Sequence, residues 1–297
     1  MNIVKHRKIF YAISVLLIGF SVFAVSFFGL NFGIDFTGGS IVEAEFQEPT
    51  EVTPILASLD LEESVVRSTG DKGYIIRTHN LSEPERQALE AAFEEKGGTI
   101  KRFDSVGPIL GEELQKKAIW SIILVVLAII LFITYVFRHV SEPVASWKYG
   151  MVAIVALAHD VIVPTGIFAY LGRSGGYEVD TLFITALLVI LGFSVHDTIV
   201  VFDRTREHLK NGDLKKRSFE NIVGRAISET FSRSINTSLT TIIALIVLWF
   251  VGPDTTKSFA LVMIIGIVTG TYSSIFIGSP LLVTLEKWQA RKANAKK

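Results

Sequence analysis

The chain has 297 residues, 49% of them hydrophobic and 20% charged, with 29 basic side chains balancing 29 acidic ones. That is too apolar for an ordinary soluble domain of this length, in which about a quarter of the residues are charged. Cysteine is absent, which excludes disulfides and thiolate metal sites as sources of stability.

The apolar residues are gathered in blocks close to the ~20 residues that cross a ~30 Å hydrocarbon core. The first, 9–29, follows Lys5, Arg7 and Lys8. It is longer than the ~7–15 residues of a signal-peptide core, and no small-x-small site closes it, so it is predicted to remain as a span.

The next segment, 30–116, is polar and holds 17 acidic against 8 basic residues. Residues 40–46 alternate as a strand, and 51–60 suit a short helix. Two further strands, 64–68 and 74–78, flank Thr69-Gly70-Asp71-Lys72-Gly73, a hairpin-type turn. Ser82 followed by Glu85 opens a helix over 82–96 with a capping-box spacing, and Gly97-Gly98 ends it. Residues 99–106 supply a fourth strand. The order βαββαβ predicts a small ferredoxin-like α+β domain, a fold that names no function by itself.

Five more apolar blocks follow at 119–137, 149–171, 181–202, 234–251 and 259–285, each predicted as a membrane helix. Arg138 and Lys148 lie between the second and third spans. Seven basic residues from Arg204 to Arg225, Lys215 and Lys216 among them, lie between the fourth and fifth. Lys287, Arg291, Lys292, Lys296 and Lys297 follow the sixth. All these clusters fall on one side, and the positive-inside rule makes that side cytoplasmic. The expected fold is therefore a membrane α-helical bundle of six transmembrane helices plus one extracytoplasmic α+β domain. Its regions are 1–29 (cytoplasmic N-terminus and first span), 30–116 (outer domain), 117–285 (five helices with a cytoplasmic loop at 203–233) and 286–297 (basic cytoplasmic tail).

Charge inside a membrane costs at least ~2.5 kcal/mol and calls for a reason. His159 and Asp160 fall in the third span, His196 and Asp197 in the cytoplasmic half of the fourth, and Arg233 at the mouth of the fifth. Asp180 belongs to the outer interface. Arg233, Thr237, Thr240 and Ala244 recur at i, i+4, i+7 and i+11 and share a face, a cation followed by two hydroxyls suited to a hydrated path. Ser194 lies one turn before Asp197. Asp197 and Arg233 are expected to act as a proton-carrying pair; a static buried ion pair is the other reading. His159-Asp160 suits either a structural polar contact or the same path. Gly266, Gly270, Ser274 and Gly278, four residues apart, form a close helix-packing seam. No nucleophile elbow, phosphate loop or metal-ligand run is present, so neither an enzyme, a metal nor a cofactor is expected.

Four motifs, in order on these spans, resemble the SecD/SecF family of protein-export membrane proteins, on its smaller, SecF side. They are Gly33-Ile34-Asp35-Phe36-Thr37-Gly38-Gly39, His159-Asp160, the run GFSVHDTIVVFDR at 192–204, and TFSRSINTSLTT at 230–241. The resemblance covers nearly the whole chain. It implies an RND-type transporter unit in the bacterial cytoplasmic membrane, driven by the proton motive force and helping unfolded chains through the Sec pathway. The implied partners are a SecD-like subunit, the SecYEG translocon, YajC, the translocating chains and protons, with no nucleic acid. The family's essential membrane aspartate falls on Asp197 and its arginine on Arg233. His196 stands where asparagine is usual and Phe193 where tyrosine is usual, so a second titratable group adjoins the key carboxylate. Half of an RND-type small-molecule exporter and a non-transporting scaffold are the competing classes. The single small domain and the lack of an internal repeat favour export with a partner chain.

Overall fold

A computed structural model describes residues 3–138, 143–212, 214 and 217–294. Lys215, Lys216, Lys296 and Lys297 of the basic clusters lie outside the described residues. In chain order the elements are α1 (Arg7–Phe28), α2 (Ile34–Thr37), β1 (Gly39–Phe46), α3 (Thr53–Ala57), β2 (Val65–Thr69), β3 (Gly73–Thr78), α4 (Glu83–Glu95) and β4 (Gly98–Val106). Then come α5 (Pro108–Val136), α6 (Ser146–Gly175), α7 (Thr181–Lys210), α8 (Phe219–Val251), α9 (Asp254–Ser273), a π-helical turn at Ser274–Gly278, and α10 (Ser279–Asn294). The chain divides into two compact units, Met1–Asn31 with Trp120–Lys297, and Phe32–Ile119.

Among the described residues, six helical stretches are long and apolar enough to span a membrane: α1, α5, α6, α7, α8 and the α9–α10 run. Helix is the form that satisfies its own backbone in hydrocarbon. These helices outrun the apolar blocks. The polar stretch expected as a loop at 203–233 is mostly helix, since α7 continues to Lys210 and α8 starts at Phe219. Phe219, Ile222, Val223, Ala226 and Ile227 recur at helical spacing and are buried, so an apolar stripe carries α8 well before its span. Ser218 caps the start, its hydroxyl accepting from the Asn221 amide.

Small residues set the crossings. A Cβ on Gly166 of α6 would lie 2.2 Å from Ser21 Cα of α1. One on Gly266 of α9 would lie 2.0 Å from Ile190 Cδ1 of α7, and one on Gly270 would lie 3.0 Å from Ser194 Cβ. Gly278, further along the same seam, has only ordinary contacts at 3.7–4.0 Å. The core of the unit closes over three rings: Phe137 stacks on Tyr149 at 5.3 Å, and Phe202 meets both edge-on.

The second unit is a four-stranded sheet in the order β2-β3-β1-β4, each neighbouring pair antiparallel. Alternate residues Val42, Ala44 and Phe46 of β1 are buried with Ile76 of β3 and with Leu89 and Phe93 of α4. This is the period-two pattern of a sheet covered on one face. The capping box of α4 forms, Glu85 Oε2 accepting from the Ser82 amide at 2.7 Å. The short helix α2 is not signalled by any apolar period. Gly33 opens it and its carbonyl accepts from the Phe36 and Thr37 amides; Gly38, at φ +73°, ends it.

Candidate functional site

Among the described residues, two buried carboxylates lie within the spanning helices, and their surroundings are opposite in kind. Asp160 of α6 is fully buried. Its Oδ2 accepts from Ser194 Oγ of α7 at 2.5 Å and from Ser273 Oγ of α9 at 2.8 Å, and its Oδ1 lies 3.0 Å from His159 Nδ1. The network continues through hydroxyls. Thr198 Oγ1 donates to Ser274 Oγ at 2.9 Å, and Ser274 Oγ reaches the Ser194 and Gly270 carbonyls. The His159 ring stacks on Tyr272, with its Nε2 buried and without a hydrogen bond among the described residues.

The π-turn belongs to this network. The Ser279 N–H donates to the Ser274 carbonyl five residues back, and Ser279 Oγ donates to the same carbonyl. Ser273, Ser274 and Ser279 are fully buried. A π-turn inside an α-helix is a recurrent feature of functional sites, because the wider ring redirects side chains. Here two consecutive serines of the α9 run reach different partners, Ser273 the α6 carboxylate and Ser274 the α7 backbone.

Asp197, on α7, is 3% exposed, yet its Oδ2 has no hydrogen-bond partner among the described residues. Ser234 Oγ of α8, itself buried, is the one hydroxyl that favours its charge, although neither Oδ2 nor Ser234 Oγ has a hydrogen bond of ordinary geometry among the described residues. A buried carboxylate so sparsely met is costly. Arg233 stands apart, exposed and without an ion pair to Asp197, acting on the carboxylate only through space, as does exposed His196.

The polar face expected on α8 is therefore not turned toward Asp197. Arg233, Thr240 and Ala244 are exposed and Thr237 is half-buried. The two threonine hydroxyls bond their own helix, Thr237 to the Arg233 carbonyl and Thr240 to those of Asn236 and Thr237. The buried polar stripe is the neighbouring one, Thr230, Ser234 and Ser238. Ser238 Oγ lies 2.5 Å from Thr271 Oγ1 of α9. Ser234 and Ser238, inside the 230–241 motif, and Thr271 and Ser273 receive no role from sequence reasoning, although Ser234 and Ser238 at i and i+4 carry the same helical signal as the Arg233 stripe. Asp180 caps α7, its Oδ1 accepting from the Phe183 amide at 2.7 Å.

The Gly33–Gly39 motif lies in the other unit and is a backbone device. Gly39 sits at φ +129°, and a Cβ there would lie 2.8 Å from the Thr78 carbonyl oxygen. A Cβ on Gly38 would come within 3.0 Å of Pro108 Cα, and one on Gly111 within 3.1 Å of the Gly38 nitrogen. Asp35 is half-buried in α2. Among the described residues no group of three or more His, Asp or Glu could hold a metal ion.

Residues 88–288 match the family model described as "Protein export membrane protein SecD/SecF, C-terminal", and residues 23–50 match the "SecD/SecF GG Motif" model. A protein translocase subunit SecF of Thermobaculum terrenum is 42% identical, the alignment covering 96% of this chain and 94% of the relative. One from Anaerolinea thermophila is 37% identical over 98% and 96%. The crystal structure of SecDF, a translocon-associated membrane protein from Thermus thermophilus, superposes with a TM-score of 0.84 at 31% identity, covering 97% of this chain. The chain spans 39% of that SecDF chain.

Proposed function

Because the chain belongs to the SecD/SecF family of protein export membrane proteins, we propose that it is the SecF-type subunit of a protein translocase, spending the proton motive force to help chains across the bacterial cytoplasmic membrane. It is a multi-pass membrane protein, and in this reading both termini face the cytoplasm and Phe32–Ile119 faces outward. It acts as an accessory of transport rather than as an enzyme. The small unit is read as ferredoxin-like, supported by its element order and by the sheet order β2-β3-β1-β4.

The observation that carries the proposal is the contrast between the carboxylates. Asp160 is held by two serine hydroxyls and a histidine, whereas Asp197 is met by no more than the Ser234 hydroxyl and its Oδ2 has no hydrogen bond of ordinary geometry among the described residues. So loosely held a group gains most from a change of state. Protonated, Asp197 can donate to Ser234; ionised, it draws hydroxyl and guanidinium donors from α8. Each state favours a different packing of α7 on α8, and moving one charge through 100 mV supplies ~2.3 kcal/mol to choose between them. Asp160, with His159, is the fixed wall of the path.

The proposed partner is a SecD-like subunit, with SecYEG and YajC as further associates. Arg233, Asn236 and Thr240 are exposed on α8 beside Ile235, Leu239 and Ile243. Polar groups facing hydrocarbon are costly, so a second bundle covering this face, with Arg233 in reach of its own acidic groups, supports the two-chain reading over a lone scaffold.

The test follows late-stage export in membrane vesicles with and without a proton gradient. Asp197→Asn should abolish the gradient-dependent part, and Arg233→Lys, which keeps the charge but loses the planar fork, should reduce it partly. A full gradient response from Asp197→Asn would end the assignment.

A further inference from the structure

A cavity of about 570 Å³ opens in the membrane unit between the residues preceding α1 and the first turns of α8. Its wall includes Lys5, Arg217, Glu220, Asn221, Arg225 and Ser228. The lone carboxylate of that wall is already matched from outside it: Glu220 accepts from Arg7 Nη1 at 2.9 Å and from Lys287 Nζ. The wall cations are not matched in the same way. Lys5 and Arg217 make no ion pair among the described residues. Arg225 gives its Nε edge to Glu229 Oε1 at 2.7 Å and leaves both terminal nitrogens without a hydrogen bond among the described residues. The positive end of the 33-residue helix α8 adds to the same field.

Three exposed cations, an amide, a hydroxyl and a helix start line one cavity of a volume typical of small-ligand sites, a combination suited to a phosphate group. We propose that this cavity binds one phosphate anion, either the headgroup of an anionic phospholipid or free inorganic phosphate. Val4 and Lys5 lie just before the His6 start of α1, on the side of the bundle that carries the basic clusters. The positive-inside rule places that side at the leaflet surface, where anionic headgroups attract basic side chains. The anion would tie together the segment before α1, the segment before α8 and α8 itself. Nothing in this depends on the export reading.

The protein is purified in mild detergent and titrated with phosphatidylglycerol, lipid retention being counted by native mass spectrometry. Wild type should retain one phosphatidylglycerol, and Lys5→Gln/Arg217→Gln should retain it about 30-fold more weakly. Neither change breaks an ion pair described above. Arg291→Gln/Lys292→Gln, which removes the same charge from α10, should retain the lipid as wild type does. Equal loss in both double variants, or loss in neither, overturns the proposal. Displacement of the lipid by millimolar inorganic phosphate identifies the free anion as the occupant, and resistance to it identifies the lipid. Should the variant misfold, wild-type Arg217 is probed with phenylglyoxal. Protection by phosphatidylglycerol or phosphate over phosphatidylcholine supports the site, and absence of protection from either refutes it.

Discussion

Replacing Asp160 should loosen the bundle, whereas the same replacement at Asp197 should not. Asp160→Ala removes the acceptor of Ser194 Oγ and Ser273 Oγ, on two other helices, and the neighbour of His159 Nδ1. Hydrogen bonds between helices in membranes average ~0.6 kcal/mol and reach ~1.7, while a buried donor left unmet costs ~1–3 kcal/mol. Two lost interhelical bonds and a vacated carboxyl site therefore give roughly 2–4 kcal/mol. Asp160→Asn keeps one acceptor oxygen, so it should cost about 1 kcal/mol, from two charge-assisted bonds made neutral. Asp197→Asn keeps an acceptor for the Ser234 hydroxyl, the one partner that carboxylate has, and should change stability by less than about 0.5 kcal/mol. The assay is reversible unfolding in mixed micelles of rising dodecyl sulfate content, with melting temperatures alongside. If Asp197→Asn lost as much stability as Asp160→Ala, Asp197 would be a structural group and the contrast underlying the proposed mechanism would fall.

Three further outcomes are expected. Gly39→Ala should destabilise the sheet unit by roughly 1–3 kcal/mol, because it strains a φ of +129° and drives a methyl toward the Thr78 carbonyl; faster proteolysis within Phe32–Ile119 of the full chain reports it, and an unchanged rate refutes it. The Glu83 carboxyl, hydrogen-bonded by Arg86, is lowered from 4.5 to about 2, and Glu85 is lowered by the Ser82 hydroxyl and amide. Groups lowered in the folded state stabilise above their unfolded value and lose that effect as pH falls, so the start of α4 should fray between about pH 4.5 and 2 and be indifferent above 5; amide exchange at Glu85 and Arg86 checks this, and fraying on raising the pH would contradict it. Since the chain has no cysteine, single cysteines at Asp71 and Asn211 can be labelled in cells stripped of any outer barrier: the first should react from outside and the second only after permeabilisation, the reverse pattern overturning the orientation.

The strands and spans were legible because period and length are local properties. Val42, Ala44 and Phe46 alternate, and each apolar run is about a bilayer long. The extent of α7 and α8 was hidden by polarity, although Phe219, Ile222, Val223, Ala226 and Ile227 keep the helical period through the presumed loop. The site was half legible. Asp160, Asp197 and Ser194 were identifiable as polar groups in apolar helices. Which face of α8 meets α7 was not, because the Arg233–Thr237–Thr240 and Thr230–Ser234–Ser238 stripes both recur at helical spacing, and only the neighbours of a helix decide which stripe is buried. The π-turn has no residue code at all. It arises where Ser273, Ser274 and Ser279 find buried acceptors, a property of three helices together.

That turn also gives the end of the chain some slack in length. A π ring holds one residue more than an α ring, so deleting a single residue from Ser274–Gly278 would leave a locally more regular helix. Because the wider ring takes up its surplus residue within about one turn, the helix beyond would keep its phase. Leu282 and Val283, both fully buried, would stay in the core, and Lys287 would still face Glu220. The loss would fall on the ring itself, where the Ser274 carbonyl meets both the amide and the hydroxyl of Ser279. The surplus residue works like slack in a belt: taking it up leaves the far pulley where it was and changes only what the loop could reach.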